Sequence, residues 1–185
     1  MKKFCKIFDV IIGVLLALLI VGYGTPAYLS YRYPVTYRGI VEKYAGESGL
    51  PASLIFSVIR AESGFRPESK SDKGAVGLMQ ILPETAEFVC GRQGMDYMDV
   101  YLTDPAFNIR VGCCYLAYLR QKFPVEETML AAYNAGEGNV RRWLADETLS
   151  PDGERLTCYP FKETGAYVGK VKKLKNKYEK YYSFS

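Results

Sequence analysis

From Val10 to Val21 the chain reads VIIGVLLALLIV, twelve residues without a charge. With Ile7, Phe8 and the stretch to Leu29 this run is long enough to span a bilayer if Asp9 sits at the interface. It divides the chain into segments that must fold in different surroundings. Lys2, Lys3 and Lys6 precede the run, and positive charge stays on the cytoplasmic side, so everything after it is exported. The expected organisation is a cytoplasmic segment at 1–9, a transmembrane anchor at 10–29, a tyrosine-rich connector at 30–36 and one domain at 37–182. A cleaved signal peptide is the competing reading, because the strictly apolar core is short and Gly22 and Gly24 suit a cleavage site. Cys5 lies before the run, so it is not placed for lipidation after signal cleavage.

Export changes the meaning of Cys90, Cys113, Cys114 and Cys158, since disulfides persist outside the cytoplasm and four cysteines allow three pairings. Spacing does not choose among them, and a reduced chain with small buried thiols is the equal alternative. Composition removes whole classes of chemistry. The 185 residues contain no histidine, so there is no Ser-His-Asp triad, no Cys-His pair and no His-containing zinc site. Carboxylates, hydroxyls or lysines must act instead, and the sequence implies no cofactor and no metal. The net charge of +4 is gathered at the ends. Lys170, Lys172, Lys173, Lys175, Lys177 and Lys180 read as the solvated face of a last helix, and nothing resembles a nucleic-acid footprint. Hydrophobic residues make up 49% of the chain, enough to give the exported segment a single core.

The periodicities of that segment are helical. Val35 to Ser48 predicts a first helix ending near Gly49. Pro51 opens a second that contains Leu54, Ile55, Val58 and Ile59. Asp104-Pro105 is an N-cap followed by proline at the first helical position, leading through Ile109, Cys113, Leu116 and Leu119. Another helix follows Pro124 with Glu126 and Glu127 in its first turn and Gly136 past its end. Trp143 belongs to a short helix, and Thr164 or Gly165 opens the last one. No convincing pair of alternating strands occurs, so the expected class is all-α.

Glu62 breaks the pattern of its helix. It lies four residues after Val58 and three after Ile59, so the helical period sets its carboxyl on the apolar stripe. It also falls in the last turn, since Gly64 and Pro67 end the pattern, and the negative end of the helix dipole disfavours a second negative charge. Burial and dipole both push its pKa upward, toward what a general acid needs near neutrality. Downstream, Gly74 and Gly77 permit tight turns around Leu78, Met79, Gln80 and Ile81, and the Gln80 amide suits a sugar hydroxyl or N-acetyl group. Tyr133 in Ala132-Tyr133-Asn134-Ala135-Gly136 joins an apolar ring to a hydroxyl, equipment for stacking on a pyranose. Glu163-Thr164 with Tyr167-Val168 reads by itself as a capped helix start.

Taken in order, Glu62-Ser63, Gly77-Leu78-Met79-Gln80, Ala132 to Gly136, and Glu163-Thr164 with Tyr167-Val168 resemble the catalytic domain of lytic transglycosylases of the soluble-transglycosylase type. Those have a goose-type-lysozyme-like fold, and the resemblance spans about Val35 to Leu174. It implies that Glu62 is the catalytic acid and base and that Ser71 lies beside the reacting sugar. It also implies that Ser63, Met79, Gln80, Tyr133 and Asn134 contact substrate, that Glu163 is a substrate-binding acid and that Tyr167 stands close to the catalytic carboxyl. The implied substrate is peptidoglycan, cut between N-acetylmuramic acid and N-acetylglucosamine to leave a 1,6-anhydro end, by a monomer held to the membrane through its N-terminal helix. Rival readings are a lysozyme-like hydrolase using Asp72 or Glu68 to hold a water, a non-catalytic wall-binding module, and a tethered structural protein.

Overall fold

The computed structural model describes residues 12–14 and 25–184. The chain divides into two units, 1–35 and 36–185. Most of the expected anchor, and the cytoplasmic segment before it, lie outside the described residues. Residues 12–14 are helical, and α1 (Thr25–Arg32) runs through the expected boundary at 29, so the helix reaches into the expected connector. Among the described residues no helix is long and apolar enough to cross a membrane.

In the second unit the described helices are α2 (Arg38–Glu47), α3 (Ala52–Glu62), α4 (Pro83–Gln93), α5 (Pro105–Lys122), α6 (Glu126–Ala135), α7 (Glu137–Leu144) and α8 (Lys162–Tyr181), with a 3-10 turn at Asp99–Thr103. The first begins at Arg38 instead of Val35 because Tyr37 has φ 65°, a left-handed conformation that a helix cannot continue through. It ends as expected at Gly49, also left-handed, with the Leu50 amide donating to the Ala45 carbonyl. Asp104 caps α5 by accepting from the Phe107 amide at 2.7 Å. The last helix starts two residues before the expected Thr164. Periodicity gives no sign of α4. Its buried face is only Ala86, Val89 and Cys90, too narrow a stripe to stand out, although Pro83 at its start is a helix-opening signal.

The core is built around α3, buried on every side from Ala52 to Ile59, with its most extensive packing against α8. Burial of Leu54, Ile55, Phe56, Val58 and Ile59 contributes on the order of 10 kcal/mol before chain entropy is counted. That is enough to hold the end of the helix in place while it carries a poorly solvated carboxyl. Two lysines of the expected solvated stripe instead tie α8 to the start of α6: Lys172 to Glu127, and Lys175 to Glu126 at 2.6 Å. The four cysteines of the second unit are free thiols, with Cys90 and Cys113 buried, Cys114 half-buried and Cys158 exposed.

Between α3 and α4 the chain makes two tight reversals, with isolated antiparallel bridges from Lys70 to Val76 and from Val76 to Ile81. A single residue of α5 holds the second reversal. Asn108, 1% exposed, accepts from the Met79 amide at 2.8 Å and donates to the Val76 and Leu102 carbonyls at 3.0 and 2.9 Å. Gly77 is required beneath it: φ is +85°, and a Cβ there would stand 2.2 Å from Asn108 Nδ2. Gly112 similarly admits the Met79 side chain into the core.

Candidate active site

Glu62 is the last residue of α3, and the helix stops there because Gly64 takes φ 60° while the Ser63 and Gly64 amides both donate to the Ile59 carbonyl. The Glu62 side chain is half-buried. Burial raises its pKa from the ordinary 4.5 to about 7, while Tyr167 and then Lys170, both on α8, pull it back down. The expected contribution of the bare helix end is blunted, because Lys170 Nζ donates to the Ala61 carbonyl in that last turn at 2.8 Å. No second carboxylate enters the electrostatics of Glu62.

Two tyrosines flank this carboxyl. Tyr133, from α6, and Tyr167 both have their pKa pushed up by burial, with the charge of Glu62 as the next cause. Tyr167 Oη is the one buried side-chain polar atom among the described residues without a hydrogen-bond partner. It faces Glu62 closely enough to favour the carboxylate, yet falls short of a well-formed bond, and such bonds tighten when the reacting group is in place. Tyr133 donates its hydroxyl to the Met79 carbonyl at 2.6 Å, which leaves its oxygen as an acceptor.

The reversal carries the next residues. Gln80 has φ 50°, a left-handed conformation uncommon outside glycine, and its side-chain amide donates to the Ser69 and Gly77 carbonyls, both at 3.0 Å. Its side-chain oxygen is left to accept. A pocket of about 290 Å³ opens beside it, lined by Lys73, Gln80, Thr85, Tyr115, Tyr133 and Asn134. Asn134 is tied to α8, its oxygen accepting from the Thr164 hydroxyl at 2.9 Å. Glu163 is exposed, its carboxylate 3.6 Å from Nζ of Lys73, a residue that lines this pocket.

Two expected substrate contacts face elsewhere. Ser63 is 1% exposed, and its hydroxyl donates to the Leu78 carbonyl at 2.8 Å. It joins α3 to the reversal and does not face the groove. The Met79 side chain is fully buried against Gly112, so only its backbone reaches the site. Ser71 lies in an exposed turn, its hydroxyl oxygen accepting from the Ala75 amide at 3.0 Å. Asp72 and Glu68 are both exposed. Asn108 and Lys170 are supporting residues that the motifs do not include. Asn108 has a visible signal: like Glu62, it is a polar residue on an apolar stripe, here one that continues through Ile109, Gly112 and Cys113. Lys170 has none, because in sequence it is one lysine among six.

The sequence profile of the transglycosylase SLT domain matches residues 39–153. The chain belongs to the transglycosylase SLT family. Among the relatives of this SLT domain is a soluble lytic murein transglycosylase of Escherichia coli (strain K12), 36% identical over 148 residues that cover 78% of this chain and 23% of that protein. A membrane-bound lytic murein transglycosylase C of Haemophilus ducreyi is 36% identical over 165 residues, covering 77% of this chain and 45% of the relative. The SLT fold also matches the crystal structure of the 70 kDa soluble lytic transglycosylase from Escherichia coli, with a TM-score of 0.73, 33% identity, and coverage of 83% of this chain and 25% of that one. An inactive glutamate-to-glutamine mutant of a lytic transglycosylase from Pseudomonas aeruginosa matches with a TM-score of 0.72 and 33% identity, over 82% of this chain and 25% of that one. The chain thus spans about a quarter of its soluble relatives and under half of the membrane-bound one. Its class is all-α and lysozyme-like.

Proposed function

We propose that the chain is a membrane-anchored peptidoglycan lytic transglycosylase, with its catalytic domain on the extracytoplasmic side and Glu62 as the single general acid and base. The observation that carries this reading is the state of Glu62: a desolvated carboxyl with a pKa near 7, beside the buried Tyr167 and the half-buried Tyr133, at the end of a helix packed into the core. Protonated Glu62 donates to the oxygen linking N-acetylmuramic acid to N-acetylglucosamine as that bond breaks. The substrate's own N-acetyl group holds the positive charge developing at the anomeric carbon. The Glu62 carboxylate then takes the proton of the C6 hydroxyl, whose oxygen closes on the anomeric carbon to give the 1,6-anhydro end, and no water is consumed. The usual two-carboxylate routes of hydrolysis use a second carboxylate, as nucleophile or as the base for a water. Glu68 and Asp72 are exposed and do not bear on Glu62, which favours the lyase.

In this reading the Gln80 oxygen, the Asn134 amide and the Ser71 hydroxyl engage sugar hydroxyl and N-acetyl groups, Gln80 and Asn134 from the lining of the pocket. Tyr133 offers an apolar edge, and Glu163 binds substrate from beside Lys73. The protein acts as a monomer on glycan strands without metal or cofactor. Anchoring rests on the apolar run at 10–21 and is in keeping with a relative named as membrane-bound.

Digestion of purified peptidoglycan by the full-length protein in detergent tests the reading, with the products weighed by mass spectrometry. The expected product is one water lighter than the hydrolytic one, and Glu62→Gln forms none. A product of hydrolytic mass overturns the lyase mechanism; retention on peptidoglycan without cleavage by the unmutated protein overturns catalysis altogether. Since Glu62 must be protonated to donate, kcat/KM falls as pH rises through about 7.

A further inference from the structure

Lys170 lies three residues beyond Tyr167, so the helical period sets both on the same face of α8, toward the end of α3. Its ammonium donates to the Ala61 carbonyl at 2.8 Å, and Ala61 is the residue before Glu62. Carbonyls in the last turn of a helix lack partners within it, so a lysine there is first of all a cap. Its neighbours on α8 behave differently. Lys172 and Lys175 each meet a carboxylate of α6, whereas Lys170 meets only a neutral oxygen, and no described ion pair compensates its charge. Among the described residues, the groups coupled electrostatically to the Glu62 carboxyl are Tyr133 from α6 and Tyr167 and Lys170 from α8, and of these Lys170 is the cation.

We propose that Lys170 is a positioning residue for the reaction: it clamps the last turn of α3 to α8 and stabilises the carboxylate that Glu62 becomes once its proton has left. This deepens the reading of Glu62 as acid and base and rests on it. In the reactive, protonated form the charge on Glu62 appears only on proton donation, so a fixed cation beside it acts on the later stage of that turnover, where the carboxylate collects the C6 proton. Tyr167 and Lys170 then act on the same charge, the hydroxyl meeting the carboxylate directly and the ammonium acting from the helix end.

The test uses the full-length protein with Lys170→Met and Lys170→Arg, reading both the pH dependence of kcat/KM and the titration of the Glu62 carboxyl followed by NMR. Lys170→Met is expected to lower kcat about tenfold with KM little changed, and to move the basic limb and the Glu62 titration upward by about one unit or less. Lys170→Arg keeps both near their original positions. In the unmutated protein the Glu62 titration moves upward as salt screens the ammonium, a measurement that decides the matter even if Lys170→Met fails to fold. A Glu62 titration unmoved by Lys170→Met and by salt overturns the inference and leaves Lys170 a helix cap, whatever happens to kcat. Formation of the anhydro product with an unmoved titration sinks this inference alone. A moved titration without anhydro product sinks the transglycosylase reading and leaves the coupling standing.

Discussion

Asn108 on α5 and Glu62 at the end of α3 are both polar residues on the apolar stripe of a buried helix, and their surroundings differ completely. Asn108 makes three hydrogen bonds at 2.8 to 3.0 Å to backbone groups of the neighbouring turns. Glu62 has a tyrosine that falls short of a full bond and a lysine held one residue away, and its carboxyl is left costly to ionise. Burial alone therefore does not separate scaffold from chemistry. On the proposed function the number of partners does: a buried polar group with its bonds completed fixes structure, and one left incomplete is free to exchange a proton.

The strongest way to break this comparison is Glu62→Gln. Loss of the acid is expected to lower kcat about a thousandfold or more. The same change should stabilise the protein at pH 8. The folded pKa of about 7 exceeds the ordinary 4.5, so the folded state holds its proton more tightly, and stability falls as pH rises from 4.5 through 7. The neutral amide removes that loss, worth about 3 kcal/mol at most and less after screening. Thermal unfolding at pH 5 and pH 8 checks it: the advantage of the glutamine form must appear only at the higher pH.

Asn108→Ala should do the opposite. It leaves the Met79 amide and the Val76 and Leu102 carbonyls without their partner, an expected loss of about 3–5 kcal/mol in denaturant unfolding. A variant of unchanged stability but no activity would erase the distinction between the two residues. Tyr167→Phe sharpens it from the other side. Its hydroxyl has no partner to lose, so stability should hold, while kcat falls about tenfold or more and the basic limb moves upward, because Tyr167 favours the carboxylate. The smallest effect belongs to Ser63→Ala: about 1 kcal/mol of stability from the lost bond to Leu78, with KM within about twofold. A large rise in KM would return Ser63 to the substrate.

Helical phase was enough to single out Glu62, because the stripe through Val58 and Ile59 continues to it whatever the helix packs against. The Asp104-Pro105 start, the Gly49 and Gly64 stops and the all-α class were equally local, each set by one residue's backbone or capping chemistry. The narrow-striped α4 was not legible, since Ala86, Val89 and Cys90 bury little apolar surface and give no strong period. Neither were the directions of Ser63 and Met79. Both sit inside motifs that carry the site, and sequence order cannot say that one hydroxyl turns inward to Leu78 or that one side chain fills the space above Gly112.

The sequence by itself excluded imidazole chemistry and set the Glu62 carboxyl on the apolar stripe of its helix. Only the tertiary structure decided what that carboxyl experiences. Its pKa is set by burial and by a tyrosine and a lysine of α8, at 167 and 170, far along the chain from residue 62. A periodic pattern fixes the face a residue occupies on its own helix, whereas desolvation and through-space charge depend on which other helices close over that face.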